Sequence, residues 1–223
     1  MNSILFENDL LAKIPQVRLG CISFSVRIQS SDEKIKSFSE SIIRTIQAEQ
    51  SIDKVSKSPT IKAAKEAYRK LGKDPSRYRP SAEALTRRVV NGKGLYKVNN
   101  VVDILNLISL ESGFSIGGYD ATKIDGDIEF GIGRELEPYS AIGRGELNIA
   151  NLPLFRDSLG AFGSPTSDSL RTMVTDSTTQ FLMIIIDFDG NESLNSVMAR
   201  TEELYKRFGV ASLIESKIAA AAF

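Results

Sequence analysis

The order of patterns along the chain predicts an α+β fold, a mixed and mostly antiparallel sheet core with flanking helices. Three observations carry this expectation. A strand-like alternation lies near the start, at 21–28. Four stretches of helical period follow between Ser31 and Gly113. Glycine-punctuated extended segments then fill the second half before one last helix. Strands and helices therefore come in blocks and not in a regular strand–helix alternation.

Taken in order, the first strand candidate is 4–6. Pro15 and Gly20 bracket Val17, Arg18 and Leu19. In 21–28, Cys21, Ser23, Ser25 and Arg27 take one side, and Ile22, Phe24, Val26 and Ile28 the other. That alternation predicts a half-buried strand. Ser31 and Asp32 are caps for a helix whose Ile35, Phe38, Ile42, Ile43 and Ile46 recur at helical spacing to about Gln50. Pro59 and Gly72 bound the next helix, with Ala63, Ala64, Ala67, Tyr68 and Leu71 inward. Ser81 is the expected N-cap of a third, which stops at Asn91 and Gly92, and a fourth runs from Asn99 to Gly113. Beyond it, 128–132, 147–149, 152–155, 172–175 and 181–186 are extended, the last a fully buried strand. The closing helix covers 194–208, and the alanine-rich tail 218–223 lacks a cap, so it docks or frays. No linker composition interrupts this order. One domain is expected over 1–223, with a strand-and-helix portion at 1–58, a motif-bearing core at 59–190 and a C-terminal helix at 191–223.

A hydrophobic fraction of 42% in 223 residues suffices for a real core. The apolar runs are too short to span a bilayer, and no charged start precedes an apolar segment, so neither a membrane span nor a signal peptide is expected. The single cysteine, Cys21, excludes an internal disulfide and fits a reducing, cytoplasmic setting. Its place in a strand makes it a core residue and not a nucleophile. Histidine and tryptophan are absent. Without histidine the usual general base at neutral pH and the usual zinc ligand are gone, and no metal or cofactor is expected. Catalysis would fall to carboxylates, hydroxyls, lysines or backbone amides. Net charge is zero but unevenly spread: Lys54 to Lys97 holds 13 Lys or Arg against three Asp or Glu, a net +10 that the rest balances with −10. Lys62, Lys65, Arg69, Lys73, Arg87 and Arg88 within it are candidates for contacting a phosphate backbone. A solvated pair of basic helical faces is the alternative.

Two stretches carry candidate sites. In 99–127, Val101, Val102, Ile104, Leu105, Leu107, Ile108 and Leu110 cover most of a helix, yet Asn99, Asp103, Asn106 and Ser109 share one face. Such a polar stripe is hydrogen-bonded or faces a cleft. Gly117 and Gly118, followed by Tyr119 and Asp120, let backbone approach a ligand, or the polar residues simply cap the helix and hold loops. In 160–178, Gly163 and Ser164 precede Asp168, Ser169, Arg171, Thr172 and Thr175. Asp168 is suited to orient a water or hold an ammonium group, and Arg171 to hold phosphate or carboxylate. A turn-rich hairpin with local caps is the alternative. The pairs Gly131/Gly133 and Gly143/Gly145 lack the strand–helix context of a nucleotide motif.

The run Asn99-Asn100-Val101-Val102-Asp103-Ile104-Leu105-Asn106, followed by Gly113 and by Tyr119-Asp120, resembles the editing domain of the phenylalanyl-tRNA synthetase β subunit. This B3/B4 unit also occurs as free-standing proteins. The resemblance extends from about Tyr68 to Asp189 and implies a mixed α/β core. It also implies an activity: hydrolysis of the wrong aminoacyl ester, such as tyrosine on tRNA for phenylalanine. On that reading Asp168 and Thr175 are catalytic, and Asn99, Gly117, Gly118, Tyr119, Gly163, Ser164 and Arg171 bind the amino acid. The tRNA lies on the basic stretch, and no cofactor is needed. The family's histidine falls at Gly117, and the carboxylate of its pocket has its nearest counterpart in Asp168. The chain is too short for an aminoacylation module. The alternative is a module that binds tRNA or an amino acid without turnover.

Overall fold

Strand register builds two four-stranded sheets in this chain. The computed structural model describes residues 2–221. The first half runs β1 (Ile4–Phe6), α1 (Asn8–Lys13), β2 (Arg18–Val26), α2 (Glu33–Glu49), α3 (Ile52–Val55), α4 (Pro59–Leu71), α5 (Ser81–Val90) and α6 (Asn100–Ser112). The second runs β3 (Ser115–Asp120), β4 (Ile128–Ile132), β5 (Ser140–Ala141), β6 (Gly145–Glu146), β7 (Pro153–Asp157), β8 (Gly160–Gly163), β9 (Gln180–Asp187), α7 (Leu194–Arg207) and β10 (Ala211–Ala220). One sheet has the order β1-β4-β7-β8 and the other β10-β2-β9-β3, with β5 and β6 a separate short hairpin. Only β1 with β4 is parallel; every other pairing among the described strands is antiparallel. The fold is α+β.

Alternation along the second sheet feeds two cores. Ile22 and Phe24 of β2, with Ile116, Met183 and Ile185, pack under α6 and α7. Leu19 and Cys21 point the other way, with Tyr119, Leu182 and Ile184, and meet Phe130, Phe155 and Phe162 of the first sheet and Ala64, Ala67 and Leu71 of α4. The sheet is therefore covered on both faces. The half-buried strand expected at 21–28 is corrected accordingly: β2 spans Arg18–Val26, and Cys21 is 0% and Ser23 8% exposed. Burial pushes the Cys21 thiol up to about 12, which makes it an inert core group.

Local signals explain several helix ends. Asp32 accepts from the Ile35 amide at 2.9 Å and caps α2. Pro59 sits in the first turn of α4, and Gly72 closes it at φ +89°. Ser81 is the first residue of α5, not its cap; Pro80 holds that place, and the Ser81 amide donates to the Pro165 carbonyl at 2.7 Å. Other expectations need correction. Residues 147–149 form no strand, and 172–175 hold the end of a 3-10 turn, Leu170–Thr172, and the loop after it. The tail docks: 218–220 close β10, which pairs antiparallel with β2, while 222–223 lie outside the described residues.

Candidate functional site

The helix–turn–strand element that holds the candidate site is fixed at its start by asparagines. The Asn99 side chain caps α6, accepting from the Val101 and Val102 amides at 3.2 and 2.9 Å. Asn100, wholly buried, accepts from the Gln29 amide and donates to the Arg27 carbonyl, both at 3.0 Å. Asp103 accepts from Ser31 Oγ at 2.6 Å and from the Val98 amide at 2.8 Å. These groups clamp the end of β2 and the start of α2 to α6. Asn106 stands half-buried further along, and Ser109 Oγ donates to the Phe114 carbonyl at 2.8 Å. Gly113 at φ +73° then turns the chain into β3.

At β3 the glycines and Asp168 come together. Tyr119 Oη donates to Asp168 Oδ1 at 2.9 Å, and the Gly118 amide donates to Oδ2 at 3.4 Å. The Ser164 amide also faces this carboxylate. Burial outweighs these three donors and pushes the Asp168 carboxyl up to about 7. Burial, and after it the same carboxylate, keeps Tyr119 and Tyr139 protonated far above neutral pH. Tyr139 donates to the Ser167 carbonyl at 2.7 Å, and Tyr68 of α4 shares a 2.8 Å hydrogen bond with Thr166. A carboxyl poised near 7 among phenols can exchange a proton at neutral pH.

The space beside these groups is filled from within the chain. A Cβ at Gly117 would lie 2.0 Å from Tyr119 Oη, and one at Gly163 2.2 Å from it. The Tyr119 ring stands edge-on to Phe162 and Phe155, at centroid distances of 5.0 and 6.2 Å. Gly118 is filled too, by Leu105 at 2.6 Å and Phe181 at 2.9 Å from such a Cβ. The glycines thus clear room for the chain's own tyrosine and neighbouring side chains.

The remaining predicted residues do not join Asp168 through their side chains. Arg171 binds Asp157 with both terminal guanidinium nitrogens, at 3.1 and 2.8 Å, and donates to the Lys123 and Gly160 carbonyls. Thr175 shares a 3.0 Å hydrogen bond with Ser177 and donates its amide to Thr178 Oγ1 at 2.9 Å, so it serves the turn before β9. Ser164 Oγ accepts from the Thr166 and Ser167 amides and donates to the Ser167 carbonyl. Among the described residues no group of three His, Cys, Asp or Glu is placed to hold a metal.

The basic stretch divides between surface and interior. Lys62, Lys65 and Arg69 of α4, with Ser56 and Lys57, line a cavity of about 430 Å³. Lys62 lies 3.9 Å from Glu66, whereas Lys57 and Arg69 have no carboxylate within 4 Å among the described residues. Glu83, 2% exposed, gathers Lys65, Arg79 and Arg87 at 3.4, 3.8 and 3.6 Å. Three cations around one carboxylate leave a local surplus of positive charge. Arg88 lies against the Tyr96 ring. Lys73 is corrected as a backbone contact for RNA: it is 8% exposed and donates to the Asn148 and Ala150 carbonyls at 2.9 and 2.6 Å. Sequence reasoning passed over Lys57, Arg79 and Glu83. The i, i+4 steps from Arg79 to Glu83 to Arg87 are the signal that marks this cluster.

A family model described as the B3/4 domain matches residues 63–208. No curated protein matches the chain. Among solved structures, the chain is similar to a crystal structure of an N-terminal fragment of the phenylalanyl-tRNA synthetase beta-subunit from Pyrococcus horikoshii. That similarity has 14% identity and a TM-score of 0.45, over 97% of this chain and 50% of that one. The chain therefore spans half the length of that fragment.

Proposed function

The chain belongs to the B3/4-domain family, and on that footing we propose that it binds tRNA, with the phosphate backbone held along the α4 face. The observation that carries this reading is the cavity of about 430 Å³ lined by Lys57, Lys62, Lys65, Arg69 and Ser56. Four cations and a hydroxyl converge there, and two of the cations lack a carboxylate partner among the described residues. A polyanion supplies the missing counter-charge, with affinity that depends on salt. The tRNA partner follows the resemblance of the segment 99–120 to the synthetase editing domain. The test is tRNA binding by the wild type and by the Lys62→Ala/Lys65→Ala/Arg69→Ala variant. The expected loss is on the order of 100-fold. Equal affinity in the two proteins would remove the α4 face from the account.

A second reading adds hydrolysis of a misacylated tRNA ester. The Asp168 carboxyl at about 7, beside the Tyr119 phenol, favours it. An ester is already activated, so an oriented water with a base of this pKa suits the step. The packing of Tyr119 between Gly117 and Gly163 opposes it, because a substrate side chain finds no room there. Binding without turnover is therefore the reading preferred here. Release of label from tyrosyl- and phenylalanyl-tRNA separates the two. Hydrolysis that rises with pH through about 7 and vanishes in Asp168→Asn would establish the enzyme; stable esters would leave the binding module.

A further inference from the structure

A second cavity, of about 420 Å³, lies between α2 and the segment 93–98 that leads from α5 to α6. Ile35, Ile43 and Val98 form apolar wall, and Tyr96, Lys93 and Lys97 stand at it. Its carboxylates are engaged. Asp103 accepts from Ser31 and Val98, and Glu40 lies 3.9 Å from Arg44. Lys36 is paired with Glu33 at 2.7 Å. Lys93 and Lys97 have no carboxylate within 4 Å among the described residues.

Tyr96 is 57% exposed at the edge of this cavity. The Arg88 guanidinium lies over that ring at 4.0 Å from its centroid. Arg88 Nε is buried and finds no hydrogen-bond acceptor. A stacked cation without a counter-ion, two unpaired lysines and an accessible aromatic ring therefore share one site. The volume falls among small-ligand pockets of about 300–1,000 Å³. A planar base satisfies the ring and a phosphate the cations, the pairing by which single strands are held.

We propose that this cavity takes one unpaired nucleotide of an RNA strand, with its base on Tyr96 and a phosphate on Lys93 and Lys97. The proposal rests on the RNA-binding reading above and names a second contact for the same partner. It is tested with a labelled, non-self-complementary six-nucleotide RNA followed by fluorescence anisotropy, beside intact tRNA. Wild type binds the hexamer, and Tyr96→Ala weakens it roughly five- to 150-fold. Tyr96→Phe, which keeps the ring, stays within about twofold. Lys93→Ala/Lys97→Ala weakens binding and flattens the salt dependence by about 1.4 in log–log slope. A hexamer that wild type does not bind, or that Tyr96→Ala binds equally, overturns the proposal. Hexamer binding that depends on Tyr96, with no binding of tRNA, would keep this site and reject the tRNA reading.

Discussion

The Asp168 cluster and the α4 face are polar regions joined by one helix, and they are built in opposite ways. Tyr68 looks inward from α4 to Thr166, in the loop that also carries Asp168, while Lys62 and Arg69 look outward and Lys65 lines the same cavity. Around Asp168 the carboxylate has its donors and Tyr119 fills the space the glycines leave. Along α4 the cations outnumber the carboxylates, and a cavity stands open between them. The contrast teaches that a polar residue points to a partner when the fold leaves its hydrogen bonds or charge unanswered. One region is completed by the chain itself, and in the other two cations, Lys57 and Arg69, have no carboxylate within 4 Å among the described residues.

Substitutions break this contrast in graded steps. Gly163→Val places atoms within 2.2 Å of Tyr119 Oη and should cost about 3 kcal/mol or more, read as a loss of urea midpoint. Single alanines at Lys62 or Arg69 should instead leave that midpoint nearly unchanged, since both are exposed. Glu83→Ala removes the carboxylate that Lys65, Arg79 and Arg87 share and should destabilise by about 3 kcal/mol. Equal stability of that variant would show the cations to be solvated and independent.

The next effect is one of pH. The folded Asp168 holds its proton up to about 7, above the ordinary carboxylate value of 3.8. Its contribution is thus most favourable below about pH 4 and is lost as pH rises from there to about 7. Asp168→Asn should flatten this part of the stability profile in urea melts at stepped pH. A profile identical in wild type and variant would mean that the carboxyl is solvated. The smallest effect is that of Tyr119→Phe, about 1 kcal/mol for one hydrogen bond lost, with the Asp168 transition moved upward because a donor to its ionised form is gone.

Residues whose signal is local were legible. Pro59 and Gly72 bound α4 where expected, and Asp32 caps α2, because each acts on its own turn of backbone. β10 was not legible: its mixed run of small, polar and apolar residues has no clean period, and pairing with β2 creates the strand. At 172–175 the extended propensity of Thr172, Val174 and Thr175 yields to a 3-10 turn, in which the Ser169 side chain caps the Arg171 amide and Arg171 is bound to Asp157. The site divides in the same manner. The meeting of Gly117, Tyr119, Gly163 and Asp168 joins segments some 45 residues apart, which no spacing reveals. Lys73 reads as surface charge until the Asn148 and Ala150 carbonyls arrive from elsewhere in the chain.

The salt dependence of tRNA affinity tests the central claim most directly. Four phosphate contacts in the α4 cavity predict a slope of log affinity against log salt of about −3.6. The Lys62→Ala/Lys65→Ala/Arg69→Ala variant should flatten it by about 2.7. A slope near zero, or one that the variant leaves unchanged, would contradict the assignment of the α4 face to tRNA.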